Sequence, residues 1–395
     1  MIEVVYWSNI PAPYMVDRFN AVAERGNIVF EAWFSSRTES DRSWKVDEST
    51  WLFPYRYLPT IGRGEALTAV PTPLLREPAP DVFVSLYAGT GYLAGSALAR
   101  RRGSRTAFWV EPTFDALVRR RKWKEALKSR VFPSADGILT TGQDGRAFAR
   151  RYGALDERIH HVPHVIDFEP LARAARSSHD RRDEVRAELA LRGVTYLYVG
   201  RLWEKKGLTY LLDAFGELQR RTDGEVSLLF VGDGLDEGHL RSRVRAHGLQ
   251  NVAFCGFQHE DVLSRYYVAS DVFVFPTLGD TFGMVVLEAM ACGLPVIATT
   301  ASGEIAERVV DDVNGFLVAP ASSDQLLERM ELLGCDEELR LRMGRASFEK
   351  AAGQSPQQWA ELFEQAIANI VAMPPARHSQ LTSIVRTRGT TVGRE

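Results

Sequence analysis

The sequence predicts an α/β protein built on two parallel sheets, and three observations carry that prediction. Short apolar runs such as IEVVYW (2–7), DVFVSL (81–86), TYLYV (195–199) and SLLFV (227–231) are each followed by a turn and a helical pattern. Strands that alternate with helices in this way build parallel sheets. The chain is 395 residues long, enough for about two domains with separate cores. Finally, residues 274–298, VFPTLGDTFGMVVLEAMACGLPVIA, read as strand, turn, helix and strand, the repeating unit of a parallel sheet.

The first strand, 2–7, runs into a polar, aromatic turn, Ser8-Asn9-Ile10-Pro11-Ala12-Pro13-Tyr14, with a helix expected over Met15 to Ala23. Open parallel sheets bind ligands at the carboxyl ends of their strands, and this turn lies at such an end. It reads either as a ligand-facing loop or as a loop whose prolines only stop the strand. A second strand covers 28–34. Residues 35–80 are rich in Pro, Trp and Arg and read as long loops with short strands. After DVFVSL, Gly89, Gly91 and Gly95 open a helix. Their spacing is loose and their place late in the strand order, which favours a tight strand–helix packing turn over a dinucleotide fingerprint. The strand Thr106 to Val110 ends at Glu111, which Pro112 biases to an extended conformation. A carboxylate there sits on the crevice floor, where it could take a proton from a hydroxyl or only hydrogen-bond it. GILTTG (137–142) is a further strand and turn, and Val162 to Asp167 read as a hinge. The charged stretch 168–192 reads as linker and surface helix.

In the second half, the strand 195–199 is followed by GRLWEKKGL (200–208). The strand 227–231 ends in Gly232-Asp233-Gly234, where Asp233 either serves a ligand or caps the next helix. NVAFCG (251–256) leads to Phe257. A helix over 260–269 and a strand over 271–275 lead into the 274–298 stretch. There a helix opens after Gly283, so its first N–H groups are open to an anion. Asp280 and Glu288 bracket that opening. A glutamate in an apolar helix needs a partner. A structural ion pair would supply one, and so would the hydroxyls of a phosphorylated polyol. Helices are expected at about 322–351 and 356–371, and residues 376–395 are polar, Arg-rich and expected to be disordered.

Composition narrows the classes. No apolar run reaches about 18 residues, so no membrane-spanning helix is expected. MIEVVYWSNIP lacks the charged n-region of a signal peptide. The widely spaced Cys255, Cys292 and Cys335 suggest neither a disulfide framework nor a metal site, and the expected compartment is the cytosol. Net charge is −3, but residues 1–165 hold 23 Lys/Arg against 18 Asp/Glu, leaving 25 against 33 in the remainder. The basic excess lies in Arg100 to Arg105 and in Arg119 to Arg130. The latter reads as a solvated helix face or as a surface for anionic lipid, with Trp123 and Leu127 interleaved. No recognition motif accompanies it, and nucleic acid is not expected.

The stretch PTLGDTFGMVVLEAMACGLPVIA resembles the donor-site signature of the retaining glycosyltransferases with two facing Rossmann-like domains, the GT-B type, and in particular of glycosyltransferase family 4. The family pattern is Glu, seven residues, Glu, then AMACG and PV. This chain keeps the second acid as Glu288 and has Asp280 in place of the first. Gly200-Arg201-Leu202 with Glu204-Lys205-Lys206-Gly207 is similar to the family's Gly-Arg-Leu … Glu-Lys-Gly motif. Two departures stand out. The hinge reads Pro163-His164-Val165-Ile166-Asp167 where the family has Pro-Asn-Gly-Val-Asp, and Glu111 stands where a His is common. The resemblance is specific over about 195–320 and only architectural over 1–165.

The resemblance implies an acceptor domain over 1–167, a nucleotide-sugar domain over 168–355, a crossover helix over 356–375 that packs on the first domain, and a tail over 376–395. It implies that Arg201 and Lys206 neutralise a leaving diphosphate, with Gly200, Gly232 and Asp233 beside it and Phe257 near the nucleobase. Thr281, Phe282, Gly283 and Met284 would hold phosphate and sugar, Asp280 a sugar hydroxyl and Glu288 the ribose. Asn9, Pro11, Tyr14 and Glu111 would face the acceptor. The implied catalytic set is Glu111, Asp280, Arg201 and Lys206. The implied activity is metal-independent, retaining transfer of a hexose from a UDP- or GDP-linked donor, without a cofactor. The implied acceptor is a glycan or lipid-linked hydroxyl of bacterial surface polysaccharide synthesis, reached from the inner face of the membrane. A nucleotide-sugar epimerase and a catalytically silent binding protein on the same scaffold stay open.

Overall fold

The computed structural model describes residues 1–38, 47–61, 68–111, 122–177 and 179–376. The expectations for Pro112, for Arg119 to Arg121 and for the tail beyond Ala376 lie outside the described residues.

The strands fall into two parallel sheets. The first contains β1 (Ile2–Ser8), β2 (Ile28–Phe34), β3 (Tyr55–Tyr57), β6 (Val82–Leu86), β7 (Arg105–Val110), β8 (Gly137–Thr140) and β9 (Ile159–His161), in the order β3-β2-β1-β6-β7-β8-β9. A small antiparallel pair, β4 (Thr60–Ile61) and β5 (Thr68–Ala69), stands apart from it. The second sheet contains β10 (Val194–Val199), β11 (Val226–Val231), β12 (Val252–Phe254), β13 (Val272–Phe275), β14 (Val296–Thr299) and β15 (Gly315–Val318), in the order β12-β11-β10-β13-β14-β15. Helices cover both faces of each sheet, so β11 and β13 are buried along their whole length and read as unbroken apolar runs. Strand order reverses between β1 and β6 in the first sheet and between β10 and β13 in the second. The crevices at these reversals are where such sheets take ligands.

The last helix, Pro356–Ala372, starts with Pro356 at its first turn and Ser355 accepting from the Gln358 N–H. Trp359, Phe363, Ile367 and Ile370 recur on one face at helical spacing. They are fully buried in the first sheet's core with Tyr6, Phe19 and Trp109. The helix therefore crosses back to the N-terminal half. At its start the Phe168 N–H donates to the Gln354 carbonyl, so the two passages between the halves run side by side.

Several local expectations shift. The first helix spans Pro13–Arg25, because proline is well suited to the first turn; Pro13 and Tyr14 belong to it rather than to the preceding turn. Strand β9 was not expected, since a three-residue IHH segment carries no apolar run. The stretch expected to be helical over 322–351 is two helices, Ser323–Cys335 and Glu337–Ala351, divided at Asp336, which caps the second through the Leu339 N–H. Gly95 packs against the Trp7 ring. Arg100 bonds Thr106 and Asp136, Arg102 the Leu74 carbonyl, and Arg105 the Met373 carbonyl at 2.8 Å. Much of this basic cluster thus ties the fold together.

Candidate functional site

The loops after β10 and β13 form one structure. Gly200 bonds through its N–H to the Val231 carbonyl at 2.9 Å, and the Leu202 N–H donates to the Asp233 carbonyl at 2.7 Å. Gly232 has φ +133°, and a side-chain carbon there would overlap the Gly200 carbonyl. Gly207 has φ +66° and lies directly against the Pro276 carbonyl. The Leu278 N–H donates to the Lys205 carbonyl at 2.8 Å, closing the contact. These approaches need glycine for both its conformation and its size. We expect Gly232→Ala to lower stability by at least about 2 kcal/mol, read as a melting temperature several degrees down. A melting temperature within one degree of wild type would show that the loop can shift instead.

This packing places Lys206 on Asp280. The ammonium donates to Oδ2, while Oδ1 accepts from the Thr281 N–H at 2.7 Å and the Phe282 N–H at 3.3 Å. Burial pushes the Asp280 carboxyl up, but Lys206 and the two backbone donors outweigh it and hold the group below its ordinary value. Asp280 therefore occupies two N–H groups of the turn that were expected to face a donor phosphate. The helix Met284–Ala291 starts just after, with Gly283 at φ +59°, and its first N–H groups have no acceptor inside the helix. Arg308 fixes the turn from behind. Its guanidinium donates to the Phe282 carbonyl, to the Gly283 carbonyl at 3.1 Å and to Glu304 at 3.0 Å. Both side chains of that ion pair are buried. Arg308 was not anticipated, since it lies outside any matched motif.

Across from this turn, Glu111 directly follows β7, with 24% of its side-chain surface open. Burial pushes its pKa up to about 7, against the opposing effects of the Trp109 N–H and Arg18. His164, in the hinge, is buried and lies with Nε2 at 2.7 Å from Glu111 Oε1. Its ring centroid is 3.9 Å from that of Phe282, so the two halves touch at this point. Arg18, also buried, places Nη1 at 2.7 Å from His164 Nδ1 and donates to the Val165 carbonyl at 2.7 Å. Burial first, then the Arg18 charge, keeps His164 well below its ordinary pKa. His164 was met in the sequence only as a departure from a hinge pattern; Arg18 carried no signal.

The remaining expected residues are more scattered. Arg201 stacks over Trp203 at 5.1 Å, and its carbonyl accepts from Tyr198 at 2.9 Å. Asp233 does not cap the next helix, which opens four residues on, at Glu237. Glu288 accepts from the Tyr267 hydroxyl at 2.7 Å. Phe257 is exposed beside His259. Asn9 is exposed and Pro11 buried, while Tyr14 meets Arg18 at 5.0 Å and the His164 ring edge-on at 6.0 Å. Among the described residues, no cluster of His, Cys, Asp or Glu has the makings of a metal site, and no helix is long and apolar enough to cross a membrane. In the helix Lys122–Val131, Lys128 pairs with Glu125 at 3.2 Å and Leu127 is exposed.

Two facing parallel sheets, joined by a crossing C-terminal helix and meeting at a cleft, invite comparison with known proteins. A crystal structure of Anabaena HepE in complex with UDP and glucose matches with a TM-score of 0.74 at 17% identity, over 93% of this chain and 100% of that one. The fold is of the GT-B type. Within this GT-B fold, residues 181–350 match the family model of the glycosyl transferases group 1, which takes in β10 to β15. The chain is 35% identical over 131 residues to an uncharacterized glycosyltransferase of Methanocaldococcus jannaschii, covering 33% of each protein. It is 35% identical over 220 residues to the D-inositol 3-phosphate glycosyltransferase of Segniliparus rotundus, covering 53% of this chain and 46% of that one. The chain spans less than half the length of these two curated relatives. The family-model match thus covers the half of the GT-B fold that carries Lys206 and Asp280.

Proposed function

We propose that the protein transfers a sugar from a nucleoside diphosphate sugar to an acceptor hydroxyl, with retention at the anomeric carbon and without a metal ion. The observation that carries this reading is the convergence of Lys206, Asp280 and the opening of the helix Met284–Ala291 at the β10/β13 crevice, facing Glu111 across the His164–Phe282 contact. The UDP and glucose bound by Anabaena HepE support the donor class.

In this reading the anomeric C–O bond breaks and the diphosphate leaves with the electron pair. Arg201 and Lys206 neutralise the charge that grows on it, a contribution present mainly in the transition state. The N–H groups of Gly283 and Met284 add a helix N-terminus, and Gly200, Gly232 and Asp233 border the diphosphate. Phe257 lies by the base. Glu288, oriented by Tyr267, takes the ribose hydroxyls, and Asp280 a sugar hydroxyl. Asn9, Pro11 and Tyr14 border the acceptor, whose hydroxyl attacks on the leaving-group face while its proton passes to Glu111. Closure of the cleft keeps out water. The acceptor class is a glycan or lipid-linked hydroxyl in surface polysaccharide synthesis. The basic helix at 122–131 then rests on anionic membrane at the cytoplasmic face.

A thermal-shift series with UDP, GDP, UDP-glucose and GDP-mannose tests the donor side. A nucleotide and its sugar should raise the melting temperature with concentration, as mass action requires, and Arg201→Ala should lose that response. No response to any of the four at millimolar concentration would overturn the reading.

A further inference from the structure

At one point where the two halves of the molecule meet, a buried histidine has an assigned neighbour at each ring nitrogen. Arginine carries donors only, and burial lowers Arg18 no further than to about 10, so it stays a cation at neutral pH. With Arg18 Nη1 at 2.7 Å, His164 Nδ1 must be the acceptor. A neutral imidazole that accepts at Nδ1 carries its proton on Nε2. That nitrogen is the one 2.7 Å from Glu111 Oε1. Its N–H is turned off the direct line to the carboxylate, leaving Nε2 without a completed hydrogen bond. Even off that line the N–H lies beside the carboxylate, where its positive end favours the charged form. The ring rests on Phe282, two residues from Asp280.

We propose that His164 is a positioning residue for Glu111, held by Arg18 in the tautomer that keeps a proton on Nε2, the nitrogen beside the carboxylate, and coupled through Phe282 to the donor-side turn. This rests on the reading of Glu111 as the group that meets the acceptor hydroxyl. Asparagine, the residue of the resembling hinge pattern, could accept from Arg18 but is too short to reach Glu111, so the role belongs to this chain's own histidine. The charged and titratable groups around the pair are few. Glu111 faces Arg18, His164 and the tyrosines Tyr6 and Tyr87, both held neutral by burial. His164 faces Arg18, Arg308, Glu304 and the edge-on Tyr14 ring.

The test needs neither donor nor acceptor. The Trp109 indole donates to Glu111, so its N–H resonance reports that carboxyl's titration. The chain has eight tryptophans, and loss of one indole peak in Trp109→Phe identifies the reporter. In the wild type the peak should titrate with a midpoint near 7, and Glu111→Gln should abolish the titration. His164→Asn should move the midpoint up by about one pH unit, because the charged carboxylate loses the positive end of an N–H whose nitrogen lies 2.7 Å from Oε1. His164→Gln, whose longer amide can reach Glu111, should bring it back. A midpoint unmoved in His164→Asn would overturn the proposal and leave His164 a packing residue. A second measurement uses the unaltered protein: the imidazole 15N shifts of His164 must show a bare Nδ1 and a protonated Nε2, and the reverse pattern would also overturn it. With UDP-glucose as substrate, His164→Asn should lower kcat about tenfold and leave KM within twofold. If the wild type turns over no nucleotide sugar, the transfer reading fails, while the titration still decides whether His164 serves Glu111.

Discussion

Lys206→Ala is expected to lower kcat for release of the nucleotide from its sugar by about 10²–10³-fold, the usual loss when one donor to a developing oxyanion is removed. Lys206 sits on Asp280. A diphosphate entering the crevice would share or take over that cation. The same substitution strips Asp280 of its only side-chain ion pair among the described residues and leaves a largely buried carboxylate to its two backbone donors. Stability should fall by roughly 1–3 kcal/mol, between the values for exposed and fully buried pairs. The pH dependence has a definite sign. The folded-state pKa of Asp280 is depressed, so its contribution is present above the unfolded carboxyl range and is lost as pH falls through the folded value. The wild type and Lys206→Ala should therefore differ in melting temperature at pH 7 and converge in acid. A kcat within threefold of wild type, in a variant that still binds nucleotide, would remove Lys206 from the chemistry.

Glu111→Gln should have the other large effect. A carboxyl with a pKa of about 7 is half ionised at neutral pH and suited to general-base work there. Turnover in the wild type should rise with pH to a plateau above 7. Glu111→Gln should lower kcat by about 10²–10⁴-fold and flatten the profile. Stability should move the opposite way. In the folded protein Glu111 holds its proton above the pH at which the unfolded chain releases it, so its ionisation costs stability progressively from about pH 4.5 to pH 7 and fully above that. Glu111→Gln should then melt higher than wild type at pH 8 and by a smaller margin at pH 5. An active, pH-dependent Glu111→Gln would assign the base elsewhere.

Much of this architecture was legible residue by residue. β2 and the helix Glu260–Ala269 fall where the apolar pattern placed them. The helix of the donor-side motif opens at Met284, straight after its glycine. These features are local: a mostly buried strand needs a run of apolar residues, and a helix start needs a residue that can take the turn. Boundaries slipped where the signal was short or ambiguous, as at β9 and Pro13. The group 1 match over residues 181–350 coincides with the part whose chemistry could be read, because glycine turns and fixed cation spacing are written in consecutive residues.

What the sequence by itself determined is the two-sheet α/β plan and the turns after β10, β11 and β13, with Arg201, Lys206 and Asp280 in them and Glu288 in the helix that follows. Only the tertiary structure decided how they pair. Lys206 finds Asp280 74 residues away, and Asp280 turns back onto N–H groups that the motif alone had left for a ligand. Arg18 reaches His164 across 146 residues, and that contact sets the tautomer facing Glu111. The raised Glu111 pKa is likewise a product of burial that no neighbouring residue encodes. Desolvation and charge pairing depend on distance in space, which the fold fixes and residue order leaves open.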